Sequence, residues 1–490
     1  MKASKARWTA LALALALAAC GGGSSSSSST DPGTGGDTTT PPAATNRIEP
    51  YDPSGIAKTQ PQASVVHAAA GPQATRDIAL GPLALAKAAT PASARAPLQI
   101  GQARSVADTA TVAATSALLP WQTTASGARV AALRFTAEGA QGVRLGVLVR
   151  ALPAGAVLRF YGATDEGAIE VSADDLQAMA RRNTEGGADD ATARTYWSPD
   201  FGGAQTTLEV QIPAAASPAA VQLAVPRLSH LTVSPRATGI GAAGSCEVDV
   251  TCHPEYADQS RSVARMTYVD SGITYLCTGT LLNDEQSDGT PYFLSANHCV
   301  STQAAASTLN TYWFFRSASC NSTTLDPTNT RLTSGATLLY ASAATDTSFM
   351  RLNDAAPAGI VYAGSYFGGM AAGQALSDIH HPSGDLQKVS QGSLLNYSNC
   401  TENNASGDVT CTSVSGTNGN FYMIGWQQGV TEGGSSGSAA LIAIGQRRYV
   451  AGQLYAGDSS CQNPTGTDAY GRFDASYNAA LKNWLNPATP

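Results

Sequence analysis

Residues 432–438 read EGGSSGS, and the reading of the fold turns on whether this is filler or a catalytic turn. The chain does carry filler elsewhere, in the six consecutive serines at 24–29. The setting at 432–438 is different. An aromatic strand-like segment, NFYMIGWQQ, precedes it, and an apolar one, AALIAI, follows at once. Flexible linkers rarely sit between two buried strands. A Gly-X-Ser-Gly turn there lets the backbone approach a substrate and points N–H groups inward, as an oxyanion hole requires.

A serine needs a base and an orienting group before it can attack. The histidines are His67, His230, His253, His298, His380 and His381. His298 lies in FLSANHCV, where an apolar strand breaks at small residues and Cys299 follows immediately. Cys277 lies 22 residues upstream in YLCTGTLL, so a Cys277–Cys299 bridge would fasten the histidine's turn to its neighbouring strand. Asp326 and Asp354 read as turn residues. Asp346, in SAATDTSFMRL, enters an apolar strand where a carboxylate can be buried beside an imidazole. The order His298, Asp346, Ser436, with spacings of 48 and 90 residues, suits two sequential barrels with the site between them.

The rest of the chain sets the context. At 490 residues, two folded domains plus tails are expected. Charged residues make up only 13%, and Gly, Ala, Ser and Thr abound, which fits β-rich, turn-rich structure. A net charge of −7 without a basic block argues against nucleic acid as a partner.

Residues 1–20 read as a signal segment: Lys2, Lys5 and Arg7, a short apolar run over 10–19, then LAAC ending at Cys20. This resembles the lipobox of bacterial lipoproteins, in which the cysteine is lipidated. The resemblance implies export and a lipid anchor in the cell envelope. Gly21 gives no inner-membrane retention signal, so the outer membrane is expected, with the C-terminal domain retained there or shed. Of nine cysteines, the eight other than Cys20 all fall between Cys246 and Cys461, an even set that reads as a disulfide framework.

Residues 21–46 form a low-complexity tether. Residues 47–236 are expected to be a β-rich, sandwich-like domain without catalytic clusters, its first part (47–118) irregular. Within it SADDLQAMARRN reads as a helix capped by Ser172. The boundary is placed at Arg236. Residues 237–490 hold many short strands and a closing helix, ASYNAALKNWL.

The stretch from Cys246 onward resembles the bacterial lysyl endopeptidases, trypsin-like serine proteases. The resemblance rests on GSCEVDVTC, CTGTLLN, YFLSANHC, TDTSFMRL, IHHPSGD, GVTEGGSSGS, GQLYAGDSSC and DAYGRF, in that order. It implies an all-β, double β-barrel chymotrypsin fold preceded by a pro-domain. It implies Ser436 as nucleophile, His298 as general base and acid, Asp346 as orienter, and the N–H groups of Gly434 and Ser436 as oxyanion hole. It also implies the bridges Cys246–Cys461, Cys252–Cys320 and Cys277–Cys299, leaving Cys400 and Cys411 as a local pair.

For specificity, the resemblance places Asp468, in TGTDAYGRF, where the family receives a lysine ammonium, and Glu432 could add negative potential. Tyr455 stands in the substrate cleft where the family has a histidine. Ala439 and Thr347 also depart from the family pattern. The substrates expected are proteins or peptides with Lys, and by extension Arg, before the scissile bond. Because the nearest upstream lysine, Lys87, is far from the junction, release of the pro-domain is expected after Arg236.

No cofactor is implied. His380, His381 and Asp385 invite a metal reading, but adjacent histidines in a strand point to opposite faces, so no metal site is expected. Two other readings stay open: a serine endopeptidase of different preference, such as Glu, and an inactive surface binding protein with this fold.

Overall fold

The computed structural model describes residues 46–55, 69–83, 96–164, 167–235, 240–402 and 408–487. The signal segment with Cys20, the tether through residue 45 and the boundary at Arg236 lie outside the described residues.

The N-terminal part is built from two sheets. In one, Gly142–Ala151 and Gln222–Leu231 pair at the centre, flanked by Thr195–Trp197 and Gly101–Ser105. In the other, Arg129–Ala137 and Gln205–Ile212 are central, with Thr75–Leu80, Val157–Tyr161 and Ile169–Ser172 outside them. Leu133, Phe135, Leu208 and Val210 from one sheet share a core with Val143, Leu145, Leu223 and Val225 from the other. Two sheets enclosing one apolar layer make a sandwich. The helix Ala173–Glu185 starts with a capping box: the Ser172 hydroxyl accepts from the Asp175 N–H, and the Asp175 carboxylate accepts from the Ser172 N–H.

Within the part expected to be irregular, 47–118, the described residues are more ordered than the composition implies. Arg47–Ile48 pairs with Gly364–Tyr366, and Leu98–Gln99 pairs with Tyr275–Leu276. Val112–Leu118 is a helix capped by Thr111. Strands of two residues have no periodicity to read, and their partners lie far along the chain.

From 240 onward the chain forms two β units. The first runs in the order Thr330–Leu332, Asn310–Trp313, Val263–Asp270, Ile273–Leu282, Tyr292–Ala296, Thr347–Leu352, Ala336–Ser342. The second closes on itself. Arg447–Gly457, Ala439–Ile444, Ala375–His380, Lys388–Glu402, Phe421–Gln428 and Thr467–Arg472 form a ring, the last strand returning to the first. Closure leaves no free edge around the ring. One apolar cluster joins Val263, Leu282, Leu294 and Phe349 of the first unit to Ile379, Val389, Leu441 and Val450 of the second.

The closing helix packs onto this seam. Phe473, Tyr477, Leu481 and Leu485 recur every fourth residue and are buried there. A spacing of four is wider than the α-helical repeat, and the helix winds more loosely, in π fashion, over Tyr477–Leu481. The fold is therefore the all-β, chymotrypsin-like arrangement with a C-terminal helix.

Candidate active site

His298, Asp346 and Ser436 come from three different strand ends and meet at the seam. Tyr292–Ala296 runs into the turn that carries His298, and Cys299 bridges back to Cys277 on the adjacent strand. Asp346 directly precedes Thr347–Leu352, which pairs with the histidine's strand through Ala296 and Thr347. The His298 backbone N–H donates to Asp346 Oδ1 at 2.9 Å, and the ring Nδ1–H donates to Oδ2 at 2.7 Å. With both oxygens engaged, the imidazole is held in the tautomer that leaves Nε2 as an acceptor.

Asp346 has a φ of +50°, in the left-handed region. Its carbonyl accepts from the Asn297 N–H at 2.9 Å, and its neighbours tie the turn down. The hydroxyls of Thr345 and Thr347 both lie 2.8 Å from Ser476 Oγ, and Gln453 Nε2 donates to the Thr345 carbonyl at 2.7 Å. Thr347, a departure from the family pattern, thus serves this turn through its hydroxyl.

Ser436 lies between Phe421–Gln428 and Ala439–Ile444, in a turn fixed from both sides. The Thr278 N–H donates to the Ser436 carbonyl, and the Thr278 hydroxyl donates to the Gly434 carbonyl, each at 2.9 Å. Gly434 adopts a φ of +101°, and a Cβ there would come within 2.8 Å of the His381 carbonyl. That conformation and that approach both demand glycine. Among the described residues, neither the Gly434 nor the Ser436 N–H has an acceptor. His298 Nε2 is likewise buried without a partner. His298 and Ser436 both line one cavity of about 850 Å³, together with Tyr455, Thr431, Gly457 and Ser459.

Asp468 lies directly behind this lining, fully buried. Its Oδ2 accepts from Trp426 Nε1 at 2.6 Å, Ser459 Oγ at 2.7 Å and Thr431 Oγ1 at 2.8 Å. Its Oδ1 accepts the Ser459 N–H at 3.3 Å. Burial raises its pKa, and the hydroxyl donors of Ser459 and Thr431 and the Trp426 indole oppose that shift. A Cβ on Gly457 would stand 1.8 Å from Oδ1, so only glycine fits between this carboxylate and the cavity. The holding residues Thr431, Ser459 and Trp426, and Gly457 above them, were not singled out from the sequence. The only signal was their place beside the EGGSSGS and GQLYAGDSSC segments.

Tyr455 packs edge-on against His298, with ring centroids 6.2 Å apart, and against Phe421 at 4.8 Å. Glu432 also lines this cavity. Its Oε1 accepts the Gly244 N–H at 3.0 Å and Oε2 accepts the Ser383 hydroxyl at 2.8 Å. The carboxylate thereby fastens the segment entering the protease part.

The two adjacent histidines are absorbed by the framework. His380 Nδ1 lies 2.8 Å from Ser435 Oγ and Nε2 3.1 Å from Ser390 Oγ, while His381 Nδ1–H donates to the Asp385 carbonyl at 2.9 Å. Asp385 itself accepts from the N–H groups of Gly241 and Ala243. Cys277, His298 and Cys299 lie close enough to suggest a metal group, but both sulfurs are in a disulfide and have no lone thiolate to give. The other bridges join Cys246 to Cys461, Cys252 to Cys320 and Cys400 to Cys411.

Comparison with known proteins follows the same division of the chain. Residues 240–471 match the family model for the lysyl endopeptidase C-terminal domain, and residues 73–232 match that for the lysyl endopeptidase N-terminal domain. The chain is 34% identical over 401 residues to a lysyl endopeptidase of Pseudomonas aeruginosa, covering 78% of this chain and 80% of that protein. It belongs to the lysyl endopeptidase family. It is accordingly a serine endopeptidase, acting on peptide or protein substrates. Among solved structures, the active form of the Rv3671c protease from M. tuberculosis aligns with a TM-score of 0.33 and 12% identity, covering 50% of this chain and 90% of that one. The MamO protease domain from Magnetospirillum magneticum aligns with a TM-score of 0.31 and 9% identity, covering 46% and 98%.

Proposed function

We propose that this serine endopeptidase cleaves after basic residues, with Ser436, His298 and Asp346 as its catalytic triad. The observation that carries the reading is the Asp346-held imidazole lining one cavity with Ser436, beside two N–H groups that find no acceptor among the described residues. Ser436 Oγ attacks the carbonyl carbon after the basic residue and gives its proton to His298 Nε2. The hydroxyl closes onto Nε2 when substrate binds, since catalytic hydrogen bonds tighten in the complex. The oxyanion accepts from the Gly434 and Ser436 N–H groups. As the C–N bond breaks, Nε2–H protonates the leaving amine. Water, deprotonated by His298, then attacks the ester and frees Ser436.

A substrate Lys or Arg reaches Asp468 past Gly457. Oδ1, whose one contact among the described residues is the long one from the Ser459 N–H, offers its lone pairs to that cation. The cation offsets the cost of burying the carboxylate, and an apolar side chain would leave it unpaired.

Residues 47–236 act as a pro-domain released after Arg236, a boundary that falls between the two matched regions. Upstream, LAAC supports lipidation at Cys20, and with it export to the bacterial envelope. The test of specificity is hydrolysis of matched peptides ending in Lys, Arg, Glu or Ala by the protein and its Ser436→Ala variant. Cleavage after Lys or Arg, absent in the variant, is expected; equal cleavage after Glu or Ala would refute the acidic pocket. Loss of palmitate incorporation in Cys20→Ser checks the anchor.

A further inference from the structure

The cavity that holds Ser436 and His298 is also lined by Ala96, Pro97, Leu98 and Gln99, residues of the N-terminal part. They do not merely lie across its mouth. Leu98 and Gln99 pair antiparallel with Leu276 and Tyr275, and the Ile100 N–H donates to the Thr274 carbonyl at 2.9 Å. Three successive residues therefore add a strand to an edge of the protease, the way extended peptides bind sheet edges. Ile100 is fully buried. Just beyond it the chain is fixed in the N-terminal sandwich, where the Thr232 N–H donates to the Ile100 carbonyl and Gly101–Ser105 pairs with Gln222–Leu231.

The cleft has a second flank, Leu454–Gly457. Beyond Gln453 this strand is no longer paired with Ala439–Ile444, and Gly457 stands over Asp468. If the side chain before the scissile bond enters past Gly457, that flank serves the acyl half of a substrate. The Tyr275–Leu276 flank is then left for the residues that follow the bond. On this flank Leu98 has an apolar seat. Its Cδ1 lies 3.7 Å from where a Cβ on Gly433 would stand, and its Cδ2 3.9 Å from the same point on Gly384. Leu276 reaches between Gly384 and Gly434, completing the seat beside the turn that carries the oxyanion donors.

We propose that Leu98–Ile100 occupies, within the same chain, the subsite that holds the leaving half of a substrate, and that this subsite takes branched aliphatic side chains. The inference rests on the catalytic reading of Ser436. It makes the N-terminal part a competitor for one half of the cleft while the acyl half stays open. Leu276, Gly384 and Gly433 become specificity-determining residues, and the preferred substrates are extended peptides with Leu-like residues after the cleaved bond.

The test compares the full chain with Leu98→Asp, both confirmed intact, on internally quenched peptides with Lys before the bond and either leucines or aspartates after it. Leu98→Asp is expected to cleave the leucine peptide about tenfold faster than the unaltered chain, the scale set by burying one leucine. The leucine peptide should also have the lower KM in both proteins. Leu98→Ala, which only shortens a half-buried side chain, carries the comparison if the aspartate disturbs folding. Each protein is also labelled with a fluorophosphonate, which needs no leaving-side contact. Equal labelling with equal hydrolysis in all three proteins, or a preference for the aspartate peptide, overturns the subsite. Absence of labelling in every folded sample would instead strike the catalytic reading.

Discussion

Glu247 sits beside the site with its side chain 1% exposed and 3.8 Å from His380 Nε2. Among the described residues its oxygens accept at most a weak bond from the Val430 N–H. Burial, reinforced by the charge on Glu432, pushes its pKa up to about 9, while burial pushes His380 down to about 3. Burial thus favours the uncharged form of both groups, which argues against an ion pair between them. A carboxyl whose folded pKa exceeds its unfolded value of 4.5 contributes stability that is complete below 4.5 and is lost as pH rises through about 9. At about 1.4 kcal/mol per pH unit, the loss between pH 4.5 and 8 amounts to about 5 kcal/mol at most. Glu247→Gln removes this dependence. Urea denaturation of Ser436→Ala, which cannot digest itself, with and without Glu247→Gln should give nearly equal stabilities at pH 4.5. The glutamine protein should gain steadily toward pH 8. Parallel pH profiles for the two proteins would refute the reasoning.

Other expectations follow from the site. Asp346→Asn should lower kcat about 10³–10⁴-fold with little change in KM, because an amide no longer holds Nδ1–H in place; steady-state kinetics would show it. Gly457→Ala puts a methyl where Asp468 Oδ1 now lies, so kcat/KM for Lys peptides should fall at least about 100-fold, on the scale of a lost buried charge contact, while fluorophosphonate labelling persists. Replacing Cys400 and Cys411 together by serine opens a cross-strand bridge that packs against the cluster of Phe421 and Tyr455. A loss of about 2–3 kcal/mol in denaturation is expected.

The site was legible where chemistry forces residue types into a short window. His298 could be picked because a strand end, a small-residue break and a cysteine coincide, and the structure sets that cysteine in a bridge to Cys277. Asp346 stood at a strand entry, and the structure places it against the imidazole. What Glu432 holds was not legible, because charge near a nucleophile reads the same whatever donor it meets. Its partner Gly244 lies 188 residues away. Glu247 was invisible for a similar reason: its burial comes from tertiary packing around GSCEVDVTC, a segment polar in appearance. The strands Arg47–Ile48 and Leu98–Gln99 were missed because two residues carry no period, and only the edge they dock on defines them.

The central claim is that Ser436 is a nucleophile activated by His298. It is tested most directly by adding a fluorophosphonate to the folded full chain and locating the adduct by peptide mass mapping. The adduct should form on Ser436, vanish in Ser436→Ala, and form far more slowly in His298→Ala. An adduct on a different serine, or a rate unaffected by His298→Ala, would contradict it.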